Sequence, residues 1–462
     1  MNNLKLKATY KTGIPFLLLA FIAVAAMFIH PDTLISQKGL VPGDMAWMIV
    51  ASALVFLMIP GLSFFYGGMV NRKNIISTML QSFIATGLIS ILWVVVGFSL
   101  AFGKSIHGLI GDPFTYLFFR NVLNSAPWTL APTIPLLLFA LFQMKFAIIT
   151  PALVAGAVAE RIQFKSYLLF MVLFSLLVYS PIAHWTWDPA GILYKFGVLD
   201  FAGGTVVHIS AGCAALAGAL VLKQRKAHIE RREIKPANIP FVLLGTGLLW
   251  FGWFGFNAGS AMGANSLAVS AFATTNTATA AAGLSWLFFD SIRGRKPSAL
   301  GFCVGAVVGL VAITPAAGYV GIPQSIFIGF AAAIISNLAV YWKSKSAIDD
   351  TLDVFPCHGI GGMTGMLMTG LFASLAINSA GNNGWFYGNF VLFTHQLLGM
   401  LLVVSYSFVM GMLIFKFVNL IYPIRVSEEE EEMGLDLSQH DEEYQPQGET
   451  FLSVSPHTFE YV

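Results

Sequence analysis

Two segments far apart in the chain carry an aspartate and a histidine at the same spacing. Residues 200–212 read DFAGGTVVHISAG, and residues 350–362 read DTLDVFPCHGIGG. In each segment seven residues separate the acid from the imidazole, and a pair of small residues follows at the same offset. An imidazole can bind and release a proton near neutral pH. His208 and His358 are therefore candidates for a proton relay.

The surroundings of these residues are apolar. Of the 462 residues, 56% are hydrophobic and only 10% are charged, whereas soluble domains contain roughly 25% charged residues. This composition excludes a soluble enzyme and predicts an all-α protein of the lipid bilayer, with no nucleic-acid partner. Apolar runs long enough to cross a membrane recur along the chain. The eleven predicted transmembrane helices are 45–67, 75–102, 131–158, 166–184, 204–222, 239–259, 266–290, 298–317, 322–342, 357–377 and 389–422.

Charged residues in the connecting loops predict the orientation, because Lys and Arg collect in short cytoplasmic loops. Every loop after an odd-numbered span contains basic residues, including six within residues 223–235. The opposite loops contain Lys104, Arg120 and Lys195 and, after spans six, eight and ten, no basic residue. The N-terminus of the mature chain is therefore predicted outside and the C-terminus inside.

The two aspartate–histidine segments open spans five and ten, which predicts a five-plus-five inverted repeat, a plan common among transporters. Span five enters from outside and span ten from inside. A two-fold axis in the membrane plane would then bring His208 and His358 together near the midplane, where ionisable groups usually line a polar path. Asp200 and Asp350 would lie at opposite surfaces and could cap the starts of the two spans.

The N-terminal segment resembles a secretory signal peptide. Basic residues precede a short apolar run and a small-residue site, AVA, at residues 23–25. An uncleaved signal anchor is the alternative. The predicted organisation is a signal peptide at 1–25, a transmembrane domain at 44–423 and a cytoplasmic tail at 424–462.

Other candidate chemical groups receive structural roles or none. His184 and His395 have no counterpart in the other half, so we interpret them as residues that hydrogen-bond between helices. The three cysteines form no spaced pair, and neither a disulfide framework nor a metal site is implied. No phosphate-binding glycine motif is present, so we expect no direct use of ATP and no cofactor.

Five further motifs carry a family resemblance that covers nearly the whole chain. They are IPGLSFFYGGMVNRKN (59–74), FAIITPALVAGAVAER (146–161), LDFAGGTVVHISAG (199–212), GWFGFNAGSA (252–261) and DVFPCHGIGGMTG (353–365). Together they resemble the ammonium transporter family (Amt/Mep, related to the Rh proteins). The resemblance implies a homotrimer of eleven-helix subunits, each with a narrow hydrophobic pore, and ammonium as the transported substrate.

The resemblance also implies roles for individual residues. His208 and His358 match the family's twin histidines, and Asp200 matches the acid of the outer vestibule. The matches further imply an external cation site at Trp187, Phe146 and Ser260, a pore gate at Phe146 and Phe256, and a pore-wall position at Trp253.

The chemistry of these residue types is consistent with ammonium selection. Potassium is close to ammonium in size, so selection by diameter alone would fail. Aromatic faces attract a cation by roughly 0.5–2 kcal/mol per contact, and a serine hydroxyl can accept the hydrogen bond that ammonium donates. An apolar pore is costly for an ion but passable for neutral ammonia, and imidazoles can carry the proton.

Simpler explanations exist for several of these residues. Trp185 and Trp187 could be interfacial belt residues, and Phe146 and Phe256 could pack a core. The outer loop WTWDPAGIL has one residue more than expected, which leaves the choice of Trp187 over Trp185 less secure. Lys145 stands where the family often has a small or apolar residue, and its ammonium group could compete with the substrate. We expect it instead to face away from the site and to hydrogen-bond at a subunit contact or in a water pocket.

The tail after Arg425 is acidic and too polar to cross a membrane. Its segment EMGLDLSQHDEEY resembles the family's cytoplasmic tail, which implies coupling between subunits and docking of a PII-type signalling protein. Residues 445–462 extend beyond this pattern and are interpreted as a disordered, solvated extension.

Three classes of function remain. The first is an ammonium transporter, and the second is an ammonium sensor of the same fold with little net flux. The third is an intramembrane serine hydrolase built from Ser260 and a histidine, which would need neither an external aromatic site nor a second histidine. Ammonium flux in proteoliposomes separates the first two classes.

Overall fold

The computed structural model describes residues 2–30, 32–33, 39–232 and 235–444. Within these ranges the secondary structure is helical except for one short antiparallel hairpin of β1 (Ser105–Ile106) and β2 (Ile110–Gly111) and an isolated antiparallel bridge between Ile162 and Arg425. The α-helices are α1 (Asn2–Met27), α2 (Pro42–Met69), α3 (Ile75–Phe83), α4 (Ala85–Leu92), α5 (Phe98–Phe102), α6 (Leu136–Val158), α7 (Phe164–Phe174), α8 (Ser180–Trp187), α9 (Ile192–Phe196), α10 (Ser210–Leu222), α11 (Lys226–Ile229), α12 (Ile239–Gly259), α13 (Ser266–Ile292), α14 (Ala299–Ile313), α15 (Ile322–Ser344), α16 (Gly361–Phe372), α17 (Phe390–Ile421), α18 (Glu428–Met433) and α19 (Leu435–His440).

Short turns of other helix types join these segments. A π-helical turn links α4 to α5 and another links α7 to α8, while two more open α10 and α16. The π-turns are Trp93–Gly97, Ser175–Tyr179, Gly204–Ile209 and Phe355–Ile360, and 3-10 turns lie at Arg72–Asn74, Leu117–Phe119 and Trp385–Tyr387.

Each of the eleven predicted spans coincides with a helical segment. Eight segments in the described part of the chain are long and apolar enough to cross a membrane. They are Pro42–Met69, Arg72–Phe102, Leu136–Val158, Phe164–Phe196, Gly204–Leu222, Ile239–Gly259, Ile322–Ser344 and Phe390–Ile421. The other three predicted spans coincide with α13, α14 and α16, of which α14 has only 15 residues.

Local sequence explains where several helices begin and end. The third predicted span starts five residues late, at Leu136, because Pro135 occupies the N-cap in extended conformation. Asn238, Asn265 and Ser298 each accept a backbone hydrogen bond at the start of α12, α13 and α14, as N-caps do. These caps fix the residues at which the three helices begin.

The cores of the two aspartate–histidine segments have the same construction. Both histidines lie in π-helical turns, Gly204–Ile209 and Phe355–Ile360. The carboxylate of Asp200 accepts hydrogen bonds from the backbone N–H groups of residues 203–205, and that of Asp350 accepts from residues 354 and 355. The predicted capping role of both acids is confirmed.

His184 connects neighbouring elements, as predicted. Its Nε2 lies 2.8 Å from Ser105 Oγ and its Nδ1 lies 2.9 Å from the Ala101 carbonyl oxygen. The ring of His395 instead packs at 4.5 Å from the ring centroid of Phe196.

The first part of the tail folds back onto the ends of the membrane helices. Asp436 accepts hydrogen bonds from Ile76 N and Ser77 N at the start of α3, at 3.0 and 2.8 Å. Burial raises the pKa of this carboxyl, and those backbone donors only partly offset the effect. The predicted extension at 445–462 lies outside the described residues.

A buried ionic cluster lies beneath the tail. Arg225 Nη1 is 2.5 Å from Glu160 Oε2, and Arg225 Nη2 is 2.8 Å from Asp349 Oδ1. Arg161 is fully buried next to it and donates to Thr351 Oγ1 and to the Asp349 carbonyl oxygen. Burial lowers the pKa of Arg161 to about 10, which still leaves it charged at neutral pH.

Candidate functional site

A cavity of about 400 Å³ opens at the end of the helix bundle where α6, α12 and α13 begin or end. Its lining includes Phe146, Trp187, Asp200 and Ser260, four residues that the sequence assigns to the outer site. Residues of α6, α8, the loop before α10 and the end of α12 therefore converge on one concave surface, which Gln143 also lines.

Hydrogen bonds hold the two tryptophans of the outer loop in different places. Trp187 Nε1 donates to the Asp200 carbonyl oxygen at 3.1 Å, and its ring meets the Phe146 ring edge-to-face at 5.7 Å. Trp185 Nε1 donates to the Leu109 carbonyl oxygen at 2.7 Å, and its ring packs against Tyr406. Trp187 lines the cavity and Trp185 does not.

The Asp200 carboxylate is already occupied by its own chain. Oδ1 accepts from Gly203 N and Gly204 N at 2.8 and 2.7 Å, and Oδ2 accepts from Thr205 N and Thr205 Oγ1 at 2.7 and 2.5 Å. Four hydrogen bonds fix the position of this carboxylate at the cavity wall and occupy both of its oxygens.

Ser260 presents a hydroxyl oxygen to the cavity. The residue caps the C-terminal end of α12, and its Oγ donates to the Phe256 carbonyl oxygen at 2.8 Å. Since the hydroxyl proton is used in that bond, the oxygen lone pairs remain available to accept a hydrogen bond from a cavity ligand.

Two aromatic rings separate this cavity from the histidines. Phe146 and Phe256 lie with ring centroids 4.2 Å apart, and both side chains are buried. On the far side of this pair, the Phe256 ring centroid is 6.0 Å from that of His208. A molecule passing from the cavity to the histidines must displace or slip past these rings.

The two predicted relay residues meet. His208 Nδ1 lies 3.3 Å from His358 Nδ1, and the rings are nearly parallel at 25°. Trp253 stacks on His208 at 5.3 Å and donates its own Nε1–H to Thr314 Oγ1 at 2.8 Å. The prediction that the histidines of the two segments meet is confirmed.

A narrow apolar cavity runs alongside the histidine pair. The space open to the centre of a water-sized molecule is about 10 Å³, close to what a single water requires. His208 Nε2 is buried and lacks a hydrogen-bond partner in the described part of the chain. The lining residues are Met58, Leu62, Phe65, Ile149, Leu153, Val207, His208, Leu249, Trp253, Phe256, Val307 and His358.

Two polar residues of the outer cavity were missed by the sequence analysis. Gln143 lies one helical turn before Phe146 in the motif FQMKFA, and its buried Oε1 has no partner among the described residues. Tyr319 lines the same cavity, and burial together with the charge of Asp200 raises the pKa of its phenol. The only signal in the sequence was the spacing of Gln143, three residues before Phe146 and therefore on the same face of the predicted helix.

Lys145 takes no part in either cavity. Its Nζ lies 5.2 Å from the ring centroid of Phe56 on α2, and its side chain is only partly buried. The expectation that it faces away from the site is confirmed. Among the described residues, no group of three or more His, Cys, Asp or Glu side chains is placed to hold a metal ion.

Comparison with known proteins decides the family. The model of the Ammonium Transporter Family matches residues 46–445. A putative ammonium transporter of Methanothermobacter thermautotrophicus is 47% identical over 407 residues, which cover 87% of this chain and 97% of that protein. The ammonium transporter of Bacillus subtilis is 46% identical over 407 residues, 87% of this chain and 98% of that protein.

The chain belongs to the ammonium transporter family. It is a multi-pass ammonium transporter of the plasma membrane and not an enzyme. The crystal structure of Candida albicans Mep2 has the same fold, with a TM-score of 0.80 at 37% identity over 85% of this chain and 88% of that one. A structure described as a sensor Amt protein gives a TM-score of 0.79 at 32% identity, over 86% and 98% of the two chains.

Proposed function

We propose that the transporter captures NH4+ in the outer cavity, transfers its proton to the His208–His358 pair and conducts the neutral ammonia that remains through the apolar pore. The observation that carries this proposal is the order of the parts: a polar, aromatic cavity, then two stacked phenylalanines, then a paired-histidine cavity with apolar walls. Each part performs one step.

The outer cavity supplies the contacts that a small cation needs. The faces of Trp187 and Phe146 attract the charge, the field of Asp200 adds to that attraction, and Ser260 Oγ accepts one hydrogen bond. Potassium can use the aromatic faces and the field but has no proton to donate to the hydroxyl. The site therefore favours ammonium over an ion of equal size.

The pore excludes ions because its walls offer too few polar groups to replace the ion's hydration shell. Its walls are aliphatic and aromatic side chains, and no ring of carbonyl oxygens replaces a hydration shell. A bare ion pays its full desolvation cost there, whereas ammonia loses few hydrogen bonds. Phe146 and Phe256 act as the gate that keeps bulk water out, and Trp253 forms the wall beside His208.

The histidine pair carries the proton. At 3.3 Å, one Nδ1 donates and the other accepts, so the pair holds one shared proton when both rings are neutral. The unpartnered Nε2 of His208 is free to bond with ammonia in the pore. When one imidazole of the pair accepts a proton and the other releases one, a positive charge moves from one histidine to the other and no ion crosses the pore.

The proposal includes the membrane arrangement. We place eleven spans in a five-plus-five inverted repeat, with the mature N-terminus outside and the C-terminus inside. The matching caps of Asp200 and Asp350 and the matching π-turns support the repeat. Reactivity of single introduced cysteines toward an impermeant thiol reagent, in intact cells and in inverted vesicles, tests the orientation.

Assembly and regulation complete the proposal. We propose a homotrimer, and a tail that binds a PII-type signalling protein on the cytoplasmic side. The contact of Asp436 with the start of α3 supports this role, because a partner that binds the tail can reach a membrane helix through one carboxylate. Binding of a purified PII-type protein to full-length chain, but not to a chain ending at residue 426, tests it.

A sensor with little net flux is the second candidate, favoured by the likeness to the sensor Amt structure. Purified protein in proteoliposomes separates the two functions when ammonium flux is measured at several imposed membrane potentials. Flux above that of empty liposomes, with no potassium flux, supports conduction. Ammonium binding without flux would instead support the sensor, and flux that ignores the potential would reject net charge transfer.

A further inference from the structure

The side-chain ammonium of Lys145 lies within the predicted third span and has no carboxylate or carbonyl partner among the described residues. Its Nζ makes a 3.8 Å contact with Met144 Sδ and lies over the Phe56 ring. Within the described ranges it contacts no carboxylate and no carbonyl oxygen. Because a cationic side chain in lipid is costly, such residues usually face protein or water. A hydrogen-bond acceptor on a neighbouring subunit would satisfy this group.

Asn276 presents the complementary group on another face. It is exposed in the middle of α13, and its amide makes no hydrogen bond to other described residues. The residues around it on the same exposed stripe are apolar, including Val269, Phe272, Leu284 and Phe288. A polar side chain at such a place in a membrane helix typically bonds across a helix–helix contact.

The two residues lie at matching depth. Lys145 is nine residues from the start of α6, and Asn276 is ten residues from the start of α13. At a rise of 1.5 Å per residue, each is about 14–15 Å along its helix. Both helices begin beside the outer cavity, since residues near the two starts line it. The groups therefore stand near the same level of the bilayer.

They cannot meet within one subunit. Lys145 emerges between α6 and α2, whereas α13 packs on α12, α14 and α15. Two different faces of the chain thus carry complementary groups, and such head-to-tail contacts close into rings when the rotation permits.

We propose that Lys145 of one subunit donates a hydrogen bond to the Asn276 side-chain oxygen of its neighbour, so that α2 and α6 of one copy pack against α13 of the next. The inference rests on the proposed homotrimer and names the contact that holds it. Each subunit contributes Lys145 to the contact with one neighbour and Asn276 to the contact with the other. The amide oxygen accepts the hydrogen bond of the ammonium at a level of the bilayer where an unpaired charge is costly.

Cross-linking tests the contact directly. Lys145→Cys and Asn276→Cys chains, with different tags, are co-expressed and treated in membranes with a short bifunctional methanethiosulfonate reagent. We expect mixed-tag dimers from this pair, and a ladder up to the closed ring from the double variant. Wild type, which retains Cys213, Cys303 and Cys357, controls for native thiols. Leu141→Cys with Leu284→Cys, at unequal depths, controls for random collision.

Oligomer size, measured by light scattering in mild detergent, separates this inference from the trimer on which it rests. A trimer without 145–276 cross-links overturns the contact and leaves the trimer intact. A monomer overturns both.

A mutant cycle tests the chemistry of the pair. Asn276→Leu leaves the lysine without its acceptor, so we expect the trimer to dissociate at lower temperature or detergent concentration than wild type. Adding Lys145→Met removes the unpaired charge and should recover most of that loss, because the two residues act as a unit. Equal, additive losses in the two single variants would contradict direct pairing.

Discussion

The Nδ1 atoms of His208 and His358 lie 3.3 Å apart although 150 residues separate them in the chain. Each ring lies within a π-helical turn that begins a few residues after a capping aspartate. In each segment a capping aspartate followed by a π-helical turn fixes the backbone that carries the histidine. The two rings meet inside an apolar pore.

Replacing either histidine of the pair should reduce ammonium flux as much as replacing both. His208→Ala, His358→Ala and the double variant should each lower ammonium flux by roughly 100-fold or more, the scale of lost proton transfer, because half a relay carries no proton. Flux of ammonium and potassium in proteoliposomes measures this. His208→Glu should retain a proton path or admit potassium, since a carboxylate attracts cations and water. Single variants that keep most activity, with additive losses in the double, would show that the residues act independently.

Trp187 should matter most when ammonium is scarce. Trp187→Leu removes one cation–π contact, so we expect about 2- to 30-fold weaker capture at low concentration and a smaller effect near saturation. The concentration dependence of uptake measures the change. Trp185→Leu is the matched control, because that ring packs on Tyr406 away from the cavity. A normal Trp187→Leu with an impaired Trp185→Leu would move the site to the other tryptophan.

Asp200 should be sensitive to shape as well as charge. Asn retains one acceptor for Gly203 N and Gly204 N, but its amino group faces the Thr205 donors. Ala retains no acceptor, so we expect Asp200→Ala to cost about 1–3 kcal/mol more stability than Asp200→Asn and to lose more flux. Thermal unfolding in detergent and proteoliposome flux measure the two effects. Near-wild-type behaviour of both variants would remove Asp200 from the mechanism.

Arg225 should control how stability depends on pH. Burial by itself would raise the pKa of the Asp349 carboxyl, but hydrogen bonds from Arg225 and the charges of Arg161 and Arg225 bring it below its ordinary value. The stability contributed by this carboxylate is complete above its unfolded-state pKa of about 3.9 and is lost only as the pH falls through the lower folded-state value. This group should therefore give wild type a flat profile from about pH 8 to about pH 5.

Arg225→Gln should change that profile. The substitution leaves buried carboxylates without their partner, at a cost of roughly 3–5 kcal/mol near neutral pH, and raises the Asp349 pKa relative to wild type. The loss should shrink as the pH falls, because protonation relieves the unpaired charge. Melting temperatures across this range measure it, with Arg232→Gln, at an exposed ion pair, as the control. Parallel profiles of Arg225→Gln and wild type would refute the role of the pair.

Hydropathy was enough to locate the helices, because eight of the eleven predicted spans are long apolar runs and the other three coincide with the shorter or less apolar helices α13, α14 and α16. Hydropathy does not locate the residue at which a helix begins. The third span, for example, begins at Leu136 because Pro135 occupies its N-cap. The spacing of the two histidines predicted their meeting, since both segments repeat the same cap and turn. The choice between Trp187 and Trp185 required the structure, because two residues along one helix point to different surroundings. Gln143 was missed because a glutamine within an apolar helix has no motif of its own.

The distance in sequence between the two relay residues has a consequence for how the protein is made. Span five is synthesised before residue 358, so His208 is present in the growing chain before its partner has been made. The segment from 355 to 372 is not among the eight in the described part of the chain that are long and apolar enough to cross a membrane. A nascent chain paused between the two halves would hold a largely inserted bundle and no path for ammonia. A paired-histidine path can form only after residue 358 has been made.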